Sequence, residues 1–319
     1  MSFRLRKITG SAGGFALVIV IVIMLLVSFL AGQLILNVST ELKIAHNKKK
    51  REKELSLAQA GLNLAIFRLL DTPLQDLGHE WDSFLQGRKY EAYLPNGRAA
   101  YFVVNESGKI DLNHFDREFL DLFLKYMEVE AEDREVIVDS LLDWQDKDDL
   151  HRLNGAEQDY YAGLRDPYIP RNGNLMDPEE FFLVRGAEKL AGRFRARDIF
   201  TVHNRRQKVD FNNLTPVMLD FFVEGDSLKK KAYIETRHMQ GALGAPQARR
   251  ILGDARYEQL APFLTYSSAS RYYSIISRGE AGITEDGDQH YSGAAMEIYV
   301  LIRKRGGRIK YFAWDEGLS

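Results

Sequence analysis

Residues 15–36 read FALVIVIVIMLLVSFLAGQLIL, an uncharged and almost wholly apolar run. A chain carrying such a run cannot fold throughout as an ordinary water-soluble globule. At about 1.5 Å per residue, roughly 20 apolar residues in a helix cross the hydrocarbon core of a bilayer, whereas the apolar part of a secretory signal is only about 7–15 residues long. The run therefore predicts a helix that stays in a membrane. Its head, MSFRLRKITGSAGG, carries Arg4, Arg6 and Lys7 and no acid, and basic flanks of this kind are retained on the cytoplasmic side. The rest of the chain is expected beyond the membrane. Lys48, Lys49, Lys50 and Arg51 follow the run on its far side, offset in part by Glu52 and Glu54, so the charge bias is real but not clean.

Small residues normally follow the apolar part of a cleavable signal, but here Gly13 and Gly14 precede it. A cut at that point removes the head and keeps the helix. Beyond the run, Leu55, Ala58, Leu62, Ala65, Ile66 and Leu69 recur at three- and four-residue steps, which places them on one face of an amphipathic helix. No Pro or Gly interrupts the chain between Gln33 and Ala60. One long helix, half apolar all round and half amphipathic, is expected, ending near Asp71-Thr72-Pro73.

The length of 319 residues allows the anchor and more than one core. A net charge of −2 argues against a dedicated nucleic-acid binder, which needs a basic surface to neutralise phosphates. The absence of cysteine excludes disulfides, thiol catalysis and cysteine-based zinc sites. The histidines, His46, His79, His114, His151, His203, His238 and His290, contain no i, i+4 pair of the kind that binds zinc on a helix.

Residues 89–105 predict a hairpin about Pro95-Asn96-Gly97, and helical spacing is evident over 116–128 and 131–144. Asp177 followed by Pro178 reads as a helix start, and a helical pair is expected at 245–263. From Tyr272 onward the pattern turns to strands, the last two flanking Arg305-Gly306-Gly307. Strands near both ends of the soluble part with helices between them imply an α+β fold: a small antiparallel sheet packed on the long helix, with a large all-helical insertion. The segment Gly241-Ala-Leu-Gly-Ala-Pro-Gln-Ala-Arg-Arg-Ile-Leu has the cadence of a helix-hairpin-helix, a turn that presents backbone amides to phosphate in DNA-binding proteins and serves helix packing elsewhere.

The densest chemistry is DWQDKDDLHRLNGAEQDYY, residues 143–161. Carboxylates at alternate loop positions followed by a Gly turn suit a hard cation, and calcium takes about 6–8 oxygen ligands from such loops. The segment lacks the twelve-residue pattern of an EF-hand. An acidic solvated loop and a carboxylate pair for acid/base chemistry are the competing readings.

A basic leader, a Gly and then Phe15 opening a long apolar helix resemble the type IV pilin and pseudopilin N-terminus, in which a membrane peptidase cuts after the Gly. The resemblance implies processing between Gly14 and Phe15 by a prepilin peptidase. Most members of that superfamily carry Glu as fifth mature residue; this chain has Ile19. The acidic run resembles the D-W-x-D-x-D…G-A-E-x-D-Y-Y segment of the K-class minor pseudopilins of type II secretion systems, the GspK family. Gly108-Lys-Ile-Asp-Leu-Asn and Val209-Asp-Phe-Asn-Asn-Leu-Thr-Pro are similar to two further family motifs and stand in the same order. The missing Glu also fits this class, which usually lacks it.

This resemblance implies a minor pseudopilin at the tip of the type II secretion pseudopilus, supporting its initiation and protein export across the outer membrane. It implies a single-pass protein of the bacterial inner membrane with its globular part in the periplasm, partnered by I- and J-class minor pseudopilins, with secreted cargo as a further candidate partner, and without nucleic acid or enzymatic activity. It further implies bound calcium, with Asp146, Asp148, Glu157 and Asp159 on the matching acidic positions and Asp143 and Asp149 as weaker candidates. The expected organisation is a leader at 1–14, a transmembrane part at 15–36, helix continuation and first strands at 37–107, the helical insertion at 108–270 and C-terminal strands at 271–319. A membrane-anchored periplasmic hydrolase using the Asp/Glu cluster and a pilus-associated DNA-binding tip protein are the alternatives.

Overall fold

The computed structural model describes residues 12–70, 87–267, 270–285, 288–291 and 295–318. The chain divides into two compact units, residues 1–53 and 54–319. The described part of the first unit is one uninterrupted stretch of α1 (Ala12–Leu70). Its apolar side chains from Leu17 to Leu42 are exposed on every side. A helix that is apolar all round cannot bury itself against one neighbouring face, so lipid or other helices must cover it. It is long and apolar enough to cross a membrane. The leader residues 1–11 and the expected break at Asp71-Thr72-Pro73 lie outside the described residues.

From Glu54 the same helix is amphipathic and belongs to the second unit. Leu57, Ala58, Leu62, Ala65 and Leu69 are buried, while Leu55 and Ile66 lie at the margin of that face. The helix seats very close to the sheet. Ser277 Oγ donates to the carbonyl oxygen of Ala58 at 2.7 Å, and a Cβ added at Gly61 would overlap the Ser277 side chain, one at Gly279 the backbone of Glu54 and Ala58. Glycine on both surfaces permits the approach.

The remaining elements, in chain order, begin with β1 (Lys89–Leu94), β2 (Gly97–Asn105), β3 (Ile110–Asp111), α2 (Arg117–Tyr126), α3 (Ala131–Gln145) and α4 (Gln158–Ala162). There follow β4 (Phe200–Thr201), β5 (Val209–Asp210), α5 (Pro216–Val223), α6 (Ser227–Gln240), α7 (Ala245–Leu252), α8 (Asp254–Leu260) and β6 (Leu264–Thr265). The chain closes with β7 (Tyr272–Glu285), β8 (Asp288–Tyr291), β9 (Met296–Arg305) and β10 (Arg308–Leu318). The main sheet runs β1-β2-β7-β9-β10, with β8 paired to β7. All its pairings are antiparallel.

β2 and β7 lie side by side, from Gly97 opposite Ala281 to Asn105 opposite Tyr273. Everything between them in sequence is thus an excursion from two adjacent strands. It has its own core, built on Phe119, Phe123, Leu141, Phe200, Phe211, Phe221 and Phe222, separate from the core between α1 and the sheet. Two short parallel pairs, β3 with β4 and β5 with β6, tie the excursion together. Asp177 caps its segment with a full capping box, but the helix it starts, Pro178–Leu183, is 3₁₀ and not α. The glycine-rich turn at 241–244 is used for packing: Leu243 and Ala248 are buried, the Asn212 side chain bonds both main-chain groups of Leu243, and Arg249 pairs with Asp254 and Glu258.

Candidate metal centre

The acidic run is positioned by the last turn of α3 and the first turn of α4. Asp143 and Asp146 stand three residues apart at the end of α3, hence on one side of the helix, with Asp146 as its C-cap. Glu157 is the residue before α4. Carboxylate oxygens of Asp143, Asp146 and Glu157 lie within 4.8 Å of one another. Gly155 lets the loop close over them, since a Cβ there would overlap the Asp143 carboxylate.

The surroundings hold this geometry. Trp144 and Tyr161 are buried and meet edge to face at 5.2 Å, with Tyr168 against Tyr161 at 5.3 Å. Arg185 Nη1 donates to the Gly155 carbonyl oxygen at 3.0 Å, and its guanidinium lies over Tyr160 at 4.7 Å. Asp139, one turn back on α3, accepts from Arg117 Nη1 at 2.6 Å and from the Asn154 main-chain N–H at 3.2 Å. Helix end and loop are thereby joined on both sides of the acidic group.

The charges within the group are unevenly matched. Arg152 donates to Asp143 through its guanidinium and, at 3.1 Å, through its main-chain N–H; Nη1 also reaches Asp146 Oδ2 at 2.7 Å. Glu157 is 1% exposed, yet neither of its oxygens has a hydrogen-bond partner, and Asp146 Oδ1 is likewise buried and unpartnered. Burial first, and then the negative charges of Asp143, Asp146, Asp149 and Asp148, push the Glu157 carboxyl up to about 7. An orphaned buried carboxylate among other carboxylates is costly unless a proton or a cation answers it. The donor set is all oxygen, which suits a hard divalent ion such as calcium.

Of the residues matched to the acidic positions, the structure brings Asp146 and Glu157 together, joined by Asp143. Asp148 and Asp159 stand outside that group. Asp148 accepts from its neighbour Leu150 N–H at 3.0 Å, and the exposed Asp159 accepts from Tyr160 N–H at 2.8 Å with His151 at 3.8 Å. Asp143 carries a signal in the sequence, the i, i+3 spacing to Asp146 on a helix end. Arg152 as their counter-charge carries none, because the contact depends on how the loop folds back.

Residues 103–191, which include the whole centre, match the family model described as type II secretion system (T2SS), protein K. A type II secretion system protein K from Aeromonas hydrophila is 32% identical over 94 residues, 29% of this chain and 28% of that protein. The alignment thus spans well under half of that relative's length. Among solved structures, a chain of the GspK-GspI-GspJ complex from the enterotoxigenic Escherichia coli Type 2 Secretion System shares the fold at a TM-score of 0.56 and 18% identity, covering 86% of this chain and 99% of that one. Residues 103–191 thus match the type II secretion system protein K domain, and the chain as a whole shares the fold of the solved GspK-GspI-GspJ chain.

Proposed function

We propose that the chain is a minor pseudopilin that sits at the tip of the type II secretion pseudopilus and supports its initiation and the export of proteins across the outer membrane. The observation that carries this reading is the division of labour along α1. Its first part offers apolar side chains in every direction, and its second part is the core element of the sheet. A subunit built this way associates with others through helix packing, by van der Waals contact and lipid exclusion. The I- and J-class pseudopilins are the proposed neighbours, in line with the complex in which the shared fold occurs. The anchor lies in the inner membrane with the second unit in the periplasm, after a prepilin peptidase has cut between Gly14 and Phe15. Ile19 replaces the charged residue with which other subunits register beneath a neighbour, which suits a subunit with nothing above it.

Calcium, held by Asp143, Asp146 and Glu157, supplies the positive charge that the acidic group lacks. Asp143 and Asp146 fix the end of α3, and Glu157 fixes the entry to α4, so joining the three carboxylates holds the intervening loop in one shape. Arg152 contributes part of that charge from the protein itself. The reading requires no catalysis.

The test is isolation of the full chain from cells that do or do not express the prepilin peptidase and the I- and J-class pseudopilins. The expected result is a mature terminus at Phe15 and co-purification with both partners. An intact Met1 in the presence of the peptidase, or secretion that proceeds unimpaired without this chain, would overturn it. Turnover of a substrate abolished by Glu157→Gln would favour the hydrolase instead.

A further inference from the structure

A second charged site, of opposite sign, lies in the second unit and plays no part in the reading above. The loop after β4, the start of β7 and the end of β9 enclose a cleft of about 390 Å³. Arg205, Arg271, Arg303 and Arg305 line it together. Among the described residues none of the four guanidinium groups meets a carboxylate or any other hydrogen-bond acceptor; that of Arg303 packs over the Phe312 ring at 5.3 Å. The buried acid close by, Asp111, is already committed, accepting from the main-chain N–H of Asn113 at 2.9 Å and of Arg205 at 2.5 Å. Four cations with a single carboxylate close by keep a net positive charge and repel one another.

The cleft also contains an unanswered neutral group. Asn204 is 7% exposed and lines the cleft, and both its side-chain oxygen and its nitrogen are buried without a partner. Leaving a buried carboxamide unpaired costs free energy that a ligand would recover. His203 lies alongside, its ring stacked on Tyr272 at 4.7 Å. Burial holds its imidazole below the usual range, so it adds a hydrogen-bonding ring and not a fifth positive charge.

We propose that this cleft binds a multiply charged oxyanion of the phosphate class. A single monovalent carboxylate would leave most of the four positive charges unmatched. A divalent tetrahedral oxyanion offers oxygens in enough directions for several guanidinium forks at once. The Asn204 amide nitrogen adds a neutral donor, and its oxygen accepts from the hydroxyl of hydrogen phosphate, so both orphaned atoms are satisfied by one ligand.

The experiment follows thermal unfolding of the full chain in detergent as inorganic phosphate is titrated against potassium chloride at equal ionic strength. A saturable rise in Tm with phosphate, absent with chloride, is expected. Arg271→Gln and Arg305→Gln, both at exposed positions, should each raise the half-saturating phosphate concentration about tenfold. Asn204→Ala should remove the phosphate-dependent rise while leaving the Tm without phosphate unchanged or higher, an outcome that a purely structural Asn204 would not give. Adding phosphatidic acid in mixed micelles separates the two sources. If it competes with inorganic phosphate at lower concentration, the ligand is a lipid headgroup; if it does not, the ligand is free phosphate. Equal effects of phosphate and chloride, or a phosphate response retained in all three variants, would overturn the proposal.

Discussion

Two buried carboxylates in the second unit meet opposite conditions. Glu106 is 2% exposed and accepts from Lys109 Nζ at 2.5 Å and from Ser274 Oγ at 2.5 Å, with the Tyr299 hydroxyl 3.0 Å from that serine. Burial, the largest influence, pulls the Lys109 ammonium down, but Glu106 together with Tyr299 and Asp198 outweighs it and holds the group above its ordinary value. Glu157 is buried as deeply and has no partner for either oxygen. The difference teaches that burial alone does not mark a functional carboxylate. Where the chain supplies the counter-charge and the remaining hydrogen bonds, the ion pair belongs to the fold; where it does not, the carboxylate is left to a proton or to an ion from outside the chain.

Breaking the finished pair is expected to have the largest effect. Glu106→Ala leaves Lys109 buried without its partner and should cost about 3–5 kcal/mol in urea denaturation of the full chain. A loss under about 1 kcal/mol would erase the contrast. Next comes the centre around Glu157. Calcium at about a hundred times its Kd should add about 2.7 kcal/mol, and Glu157→Gln should abolish that gain while leaving the calcium-free protein as stable as before or more so. Equal calcium gains in the two proteins would show that Glu157 is not a ligand.

The pH dependence is a gentler probe of the same group. The Glu157 carboxyl rises from its ordinary 4.5 to about 7 on folding, so the folded state binds its proton more tightly than the unfolded state does. Its contribution is fully present below 4.5 and is lost as pH climbs through about 7. Calcium-free unfolding followed by circular dichroism should therefore show this loss in the wild type, and Glu157→Gln should flatten it. The smallest effects are expected at the two acids outside the group. Asp148→Asn and Asp159→Asn should change calcium affinity less than about threefold, as exposed charges do, against more than about tenfold for Asp143→Asn. The reverse order in calorimetry would return the ligand set to the sequence-matched positions.

Local signals were legible where a few neighbouring residues decide the outcome. Pro95-Asn96-Gly97 marks the β1–β2 hairpin and Arg305-Gly306-Gly307 the β9–β10 hairpin, because backbone freedom at the turn sets each pairing. The spacing of Leu120, Phe123 and Leu124 marks α2 in the same way. What depends on distant partners was not legible. The strand expected at Tyr272–Arg278 runs on to Glu285 and pairs with β8, which no alternation separates from its neighbours in sequence. The acidic run marked a cluster of carboxylates, but which of them converge depends on the fold-back of residues 147–157 and on Arg152, and neither has a periodicity to read. Gly61 and Gly279 passed unnoticed for a related reason. Each is ordinary alone, and only the contact between helix and sheet gives them meaning.

The adjacency of β2 and β7 has a consequence for how such a molecule changes over time. A lobe that departs and rejoins at neighbouring rungs of one ladder burdens its host with little more than the closing of a loop, and doubling the length of a flexible loop adds only about 0.6 kcal/mol to that burden. The head can be enlarged, trimmed or exchanged while the scaffold beneath keeps its register. Diversity in what such a lobe meets can thus accumulate without disturbing how the sheet and helix beneath it are built.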